Sequence, residues 1–126
     1  MGDEAARWFE QSDYDMETAR FLLEGGRYVH SVFMCHLAVE KALPGLWTAR
    51  LGSVPPKTHN LIYLASKAGI EPNQTTSNLF ATLNEAQIAT RYPGELTAAR
   101  RAYPKEVVRE LLARSEEALE WIKSKL

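Results

Sequence analysis

The sequence predicts an all-α fold, an antiparallel up-and-down bundle of four to five helices. Three observations carry that prediction. Apolar residues recur three or four positions apart through long stretches, which is the repeat of one helix face. No stretch alternates apolar and polar residues with the period of two that a half-buried strand requires. Glycine and proline clusters separate the periodic stretches, so most connections are short and consecutive helices must run back along one another.

The first stretch, Asp3 to Glu24, sets Ala5, Trp8, Ser12, Met16, Ala19 and Leu23 on one face and Arg7, Glu10, Asp13 and Glu17 elsewhere. Gly25-Gly26 ends it, because glycine enters the left-handed conformation at a helix C-terminus without a Cβ clash. A helix hairpin is implied. The second stretch, Tyr28 to about Leu51, carries two adjoining stripes: Tyr28, Val32, Cys35, Val39, Ala42, Leu46, and Val29, Phe33, His36, Glu40, Leu43, Trp47. A helix apolar over so wide an arc is packed on more than one side, so it is the expected central helix. Pro44 falls inside it, where the ring removes one backbone hydrogen bond and crowds the carbonyl of Glu40. A kink or an early end is expected there.

Gly52-Ser53-Val54-Pro55-Pro56 reads as a short stiff loop. Thr58 is then placed to cap a third helix, with Leu61, Leu64, Ala65 and Ala68 inward and Gly69 as its stop. A fourth helix runs from about Thr76 through Leu79, Phe80, Leu83 and Gln87 to Thr90, and Tyr92-Pro93-Gly94 breaks it. Glu95 to Ala102 reads either as a loop or as another turn of helix. Tyr103-Pro104 opens the last helix, proline suiting a first turn, with Val108, Leu111, Leu112, Ser115, Ala118, Ile122 and Leu126 inward. No repeat, low-complexity tract or linker divides the chain, and residues 1–126 are expected to form one domain.

Composition narrows the function. With 45% apolar and 25% charged residues, the chain has the profile of a globular domain that buries its own core. A net charge of -1 gives no global attraction to nucleic acid or anionic lipid, so phosphate binding must rest on a local cluster. No apolar run reaches the ~20 residues of a membrane span, and Met1-Gly2-Asp3-Glu4 lacks the basic start of a secretory signal. The single cysteine, Cys35, sits among apolar neighbours and reads as a small buried hydrophobe in a reducing compartment. A cytoplasmic protein without a membrane partner is expected.

Two places can carry chemistry. His36 and Glu40 are polar residues one turn apart on an otherwise apolar stripe. If that face is buried, the carboxylate needs a partner. Arg91 is the candidate; the alternative is that Glu40 reaches water at the edge of the core and forms a weak ion pair with Arg20, Lys41 or Lys67. A His and a Glu at this spacing also raise a metal site, but the sequence shows no third ligand apart from a guess at His59, and no metal or cofactor is expected. His59 itself is equally explained as a first-turn residue packing near a helix N-terminus. The second place is Ala89-Thr90-Arg91-Tyr92-Pro93-Gly94, where a guanidinium for bidentate phosphate contact stands beside a ring for base stacking. Arg100 and Arg101 add charge nearby. The competing account has Tyr92 and Pro93 plugging the bundle end while Arg91 neutralises a buried carboxylate. Serine-nucleophile motifs, glycine-rich phosphate loops and paired metal-binding cysteines are missing.

Four segments, in order, resemble the successive signatures of the HEPN domain family: Asp15 through Tyr28, Ala38-Val39-Glu40-Lys41-Ala42-Leu43, Thr58-His59-Asn60-Leu61, and Thr90-Arg91-Tyr92-Pro93. The resemblance spans almost the whole chain. It implies an antiparallel helical bundle that forms homodimers, in a prokaryotic setting where such proteins pair with a minimal nucleotidyltransferase in toxin–antitoxin-like modules. It also implies nucleotide binding, and many members are metal-independent ribonucleases. Those ribonucleases carry an arginine followed, after four to six residues, by a histidine. Here Arg27 precedes His36, and Arg50 precedes His59, by eight intervening residues each, so no residue is assigned a catalytic role. Pro44 is a second departure, standing where relatives continue the helix with lysine or a similar residue. The expected function is a non-catalytic nucleotide- or nucleic-acid-binding module, with Arg91 and Tyr92 on the ligand and Glu40, Lys41, His59 and His36 lining the site. The alternatives are a ribonuclease toxin using Arg91 with His36 or His59, and a purely structural interaction protein.

Overall fold

The computed structural model describes residues 2–89, 94 and 96–126. Among them the chain is all-helical: α1 (Asp3–Glu24), α2 (Tyr28–Leu51), α3 (Leu61–Lys67), α4 (Gln74–Ala89), α5 (Leu96–Ala102) and α6 (Lys105–Lys123). Six helices stand among the described residues where four to five were expected, because the segment before Tyr103 closes a short helix of its own.

Side-chain pairings fix the helix directions. Ser12 Oγ donates to the Ala38 carbonyl at 2.6 Å and Ser31 Oγ to that of Ala19 at 2.7 Å, so α1 and α2 run antiparallel. Arg20 pairs with Glu116 at 3.0 Å and Lys123 with Asp13 at 2.8 Å, so α1 and α6 do too. Thr76 and Leu79 of α4 share a groove with Ala118 and Trp121 of α6, while Glu85 acts on Tyr103 at the other end, again an antiparallel pairing. The four longer helices thus form the up-and-down bundle, and α3 and α5 are short connectors.

Helix α2 is central, packing against the five other helices. Both of its apolar arcs are used: Val32, Cys35, Val39, Ala42, Leu43 and Leu46 are completely buried. Small residues let α1 lie close to it. A Cβ on Gly45 would stand 2.9 Å from the Phe9 ring and 3.1 Å from Trp8 Cβ. The turn from α1 to α2 closes as the glycine pair predicts, with Gly26 at φ 78° and the Arg27 N–H donating to the Leu22 carbonyl at 2.8 Å.

Several local expectations change. Helix α2 continues through Pro44 to Leu51 without ending early. Pro44 is buried together with Leu43, Gly45 and Leu46, and packing around the segment outweighs a helix-interior cost of about 3 kcal/mol. Asn60, not Thr58, caps α3, its side chain accepting from the Ile62 and Tyr63 N–H groups. Thr58 instead accepts from the Asn60 N–H at 3.1 Å, shaping the approach to the cap. Helix α4 begins two residues earlier than expected, with the Asn73 side chain accepting from the Thr76 N–H at 2.8 Å. On α1 the buried stripe includes Phe9 and Asp15, while Trp8 and Leu23 are half-buried. Leu126 is exposed and Leu119 takes the inward position on α6.

Candidate functional site

Helix α2 places His36 and Glu40 on the side facing the loop that leads into α3. His36 is 1% exposed, and its Nε2 lies 2.9 Å from the backbone carbonyl of His59. A carbonyl only accepts, so Nε2 carries the hydrogen and donates. Glu40 stands one turn on, with 14% of its side chain exposed. Its Oε1 accepts from His59 Nδ1 in a tight pair, and its Oε2 is 3.9 Å from His36 Nδ1. The one loop residue His59 is therefore gripped twice from α2, by its carbonyl and by its ring.

The other side of that loop is fixed to α4. Asn60 Oδ1, besides capping α3, accepts from Asn84 Nδ2 at 3.1 Å, and Asn84 Oδ1 accepts from the Leu61 N–H at 3.0 Å. The reciprocal Asn60–Asn84 contact holds the first turn of α3 against α4. The His59 ring, half exposed, sits beside this clamp with its Nδ1 occupied by Glu40. Its Nε2 has no partner among the described residues, so the imidazole presents one nitrogen outward.

Three of the expected site residues, His36, Glu40 and His59, thus come together. Lys41 does not join them. One residue on from Glu40 it is turned about 100° around the helix, and its Nζ meets Asp15 of α1 at 2.7 Å. The anticipated weak ion pairs of Glu40 with Arg20, Lys41 or Lys67 are replaced by His59. Arg20 pairs with Glu116, Lys41 with Asp15, and the Lys67 ammonium lies 5.6 Å over the Tyr63 ring. Arg91 and Tyr92 lie outside the described residues. Asn60 and Asn84 are the members of the site that sequence reasoning missed. The signal for Asn60 was present, since an asparagine directly before the apolar run Leu61, Leu64, Ala65 is a helix-start signature.

Among the described residues no group of three or more His, Cys, Asp or Glu side chains is arranged to hold a metal ion. Cys35 is not a nucleophile: burial pushes its thiol up to about 12, a hydrogen bond with Ser115 opposing that only in part. Among the described residues no helix is long and apolar enough to cross a membrane.

Known proteins share the fold. The crystal structure of TT1696 from Thermus thermophilus is similar over 99% of this chain and 100% of its own, with a TM-score of 0.85 and 27% identity. That of ST0689, an archaeal HEPN homologue, is similar over 95% of each chain, with a TM-score of 0.73 and 21% identity. No curated protein matches the chain. Residues 5–125 match the HEPN domain as a family. The chain therefore belongs to the HEPN domain family.

Proposed function

We propose that this protein is a non-catalytic nucleotide- or nucleic-acid-binding HEPN module that acts in the cytoplasm as a homodimer and partners a minimal nucleotidyltransferase in a toxin–antitoxin-like pair. The observation that supports the binding role is the half-exposed imidazole of His59, oriented through Nδ1 by the largely buried Glu40 carboxylate. An imidazole held in this way offers a fixed donor or acceptor at Nε2 to a base edge or a phosphate oxygen. Arg91 and Tyr92, three residues beyond the described part of α4 at most, supply the guanidinium and the stacking ring of the reading. His36 positions the loop rather than the ligand.

Fluorescence anisotropy with a labelled single-stranded RNA and with a labelled adenine nucleotide tests this. His59→Ala and Arg91→Ala are each expected to weaken binding by about tenfold, the loss of one charge-assisted contact, while far-UV circular dichroism stays unchanged. Unchanged affinity in both variants removes the proposal. The same oriented imidazole favours a second reading, a metal-independent ribonuclease in which His59 exchanges the proton. Cleavage of labelled tRNA that is lost in His59→Ala and Glu40→Gln selects it.

A further inference from the structure

At the end of the bundle where the α1–α2 turn meets the α5–α6 junction there is a cleft of about 470 Å³. Gly26 and Arg27, the first turn of α2, Leu96 and Arg100 of α5, and Tyr103 to Lys105 line it. Its charge is one-sided. Arg27, Arg100 and Lys105 converge on it with His30, and among the described residues no carboxylate belongs to its wall. The larger groove along α1, about 680 Å³, sets Glu10, Asp13, Asp15 and Glu17 against Arg7 and Lys41. In a chain of net charge -1, the basic cleft is a local concentration.

The cations of the cleft are also without carboxylate partners among the described residues, as the ion pairs lie elsewhere. Arg20, Lys41, Arg109, Arg114 and Lys123 each meet a carboxylate at 3.3 Å or less. Among the described residues Arg27, Arg100 and Lys105 meet none. Three like charges held around one concavity repel one another, and an anion in it relieves that repulsion. Two half-buried tyrosines, Tyr28 and Tyr103, are packed against the core and give the cleft rigid ring walls. Burial and the neighbouring Glu85 raise Tyr103 above the ordinary phenol range, so it stays a neutral hydrogen-bond donor. The first turn of α2 carries no acidic residue and no side-chain cap, so its N–H groups add to the field. Glu106 in the first turn of α6 is outside the wall and paired with Arg109.

We propose that the cleft between Arg27, Tyr28, Arg100, Tyr103 and Lys105 is a phosphate-binding site, distinct from the His36–Glu40–His59 cluster. Tyr28 precedes Glu40 by twelve residues on the same helix, about 18 Å at the helical rise, so the two sites are separable by mutation. The shared chemistry is a phosphate oxyanion, and its source is either a free phosphate compound or the backbone of an RNA strand. The cleft shares no residue with the His59 cluster, so phosphate binding there does not depend on ligand binding at His59.

The test uses the full chain and the triple variant Arg27→Ala, Arg100→Ala, Lys105→Ala, all three positions being exposed. Inorganic pyrophosphate is titrated by thermal shift and calorimetry, and a labelled twelve-nucleotide RNA by anisotropy over a range of salt. Wild type is expected to gain stability with pyrophosphate and the variant to lose that gain, since a ligand of the native state alone raises its apparent stability. RNA affinity in the variant is expected to fall at least about tenfold, and the salt slope to shrink by roughly 2 for three lost phosphate contacts on a single strand. A pyrophosphate effect alone assigns the site to free phosphate compounds, and an RNA effect alone to a strand. Equal behaviour of wild type and variant toward both probes overturns the proposal, as does loss of both in His59→Ala with the triple variant intact.

Discussion

Replacing Gly45 by alanine tests the close approach of α1 to α2. The added Cβ would stand 2.9 and 3.0 Å from two carbons of the Phe9 ring and 3.1 Å from Trp8 Cβ. Carbon pairs settle near 3.5–4.0 Å, so α1 and α2 must part by about half an ångström or the ring must leave its well. Phe9 is 6% exposed and the Trp8 Cβ is fixed to the backbone, which leaves little room to yield. Overpacking of this kind costs about 1–3 kcal/mol, against which alanine recovers up to about 1 kcal/mol of helix propensity. The net expectation is a loss of about 1–2 kcal/mol, or roughly 3–10 °C in Tm for a chain of this length. Urea unfolding followed by circular dichroism reads the change as a lower midpoint at unchanged slope. Adding Phe9→Leu, which replaces the ring with a smaller branched side chain, is expected to return part of the loss, giving a coupling energy of at least about 0.5 kcal/mol. A Gly45→Ala variant as stable as wild type would refute the close-packing argument.

Other outcomes follow from the same structure. Ser12→Ala and Ser31→Ala each remove a buried hydrogen bond between α1 and α2 and are expected to cost about 1 kcal/mol in urea melts. The pair should add, being separated along the hairpin by about two turns. Arg50 donates to the Ala68 carbonyl at 3.3 Å and the Lys125 carbonyl at 3.1 Å, clasping the ends of α3 and α6. Because the residue is exposed, Arg50→Ala should cost only about 0.5–1 kcal/mol, visible as faster amide exchange at those helix ends. Cys35 has its thiol raised from 9.0 to about 12, so above pH 9 the unfolded chain releases a proton that the folded chain keeps. Stability should therefore fall by up to about 1.4 kcal/mol per pH unit between pH 9 and 12, and Cys35→Ala should remove that part of the slope. Asn60→Ala should cost about 0.5–2 kcal/mol through the lost cap of α3, measured by thermal unfolding.

The helices were legible wherever a local signal coincided with a tertiary one. The Gly25-Gly26 stop and the wide apolar arc of α2 are of this kind, and α1 and α2 carry the bounds expected of them. The face of α1 was less legible. Trp8 and Phe9 are equally apolar neighbours, and what draws Phe9 inward is the missing side chain of Gly45 on another helix. Asp15 hides for a similar reason, since only Lys41, twenty-six residues on, makes its burial affordable. Pro44 shows a local rule yielding to packing from both sides. At the site, the spacing of His36 and Glu40 announced a shared face, but not which cation or imidazole would meet the carboxylate. That partner is chosen by the loop path before α3, which the Asn60–Asn84 contact sets between two elements. The basic cleft was illegible for the same reason, because Arg27, Arg100 and Lys105 meet only when the bundle closes.

His59, oriented by Glu40, is expected to face the ligand. Nitrogen-detected NMR of the histidine rings during titration with single-stranded RNA tests it most directly. His59 Nε2 is expected to shift on binding while Nδ1 keeps its carboxylate-bonded signature, with amide changes centred on Glu40, Asn60 and Asn84. In Glu40→Gln the Nε2 response should weaken as the ring loses its orientation. A His59 ring that stays unchanged at saturating RNA, with amide changes lying elsewhere in the bundle, would contradict it.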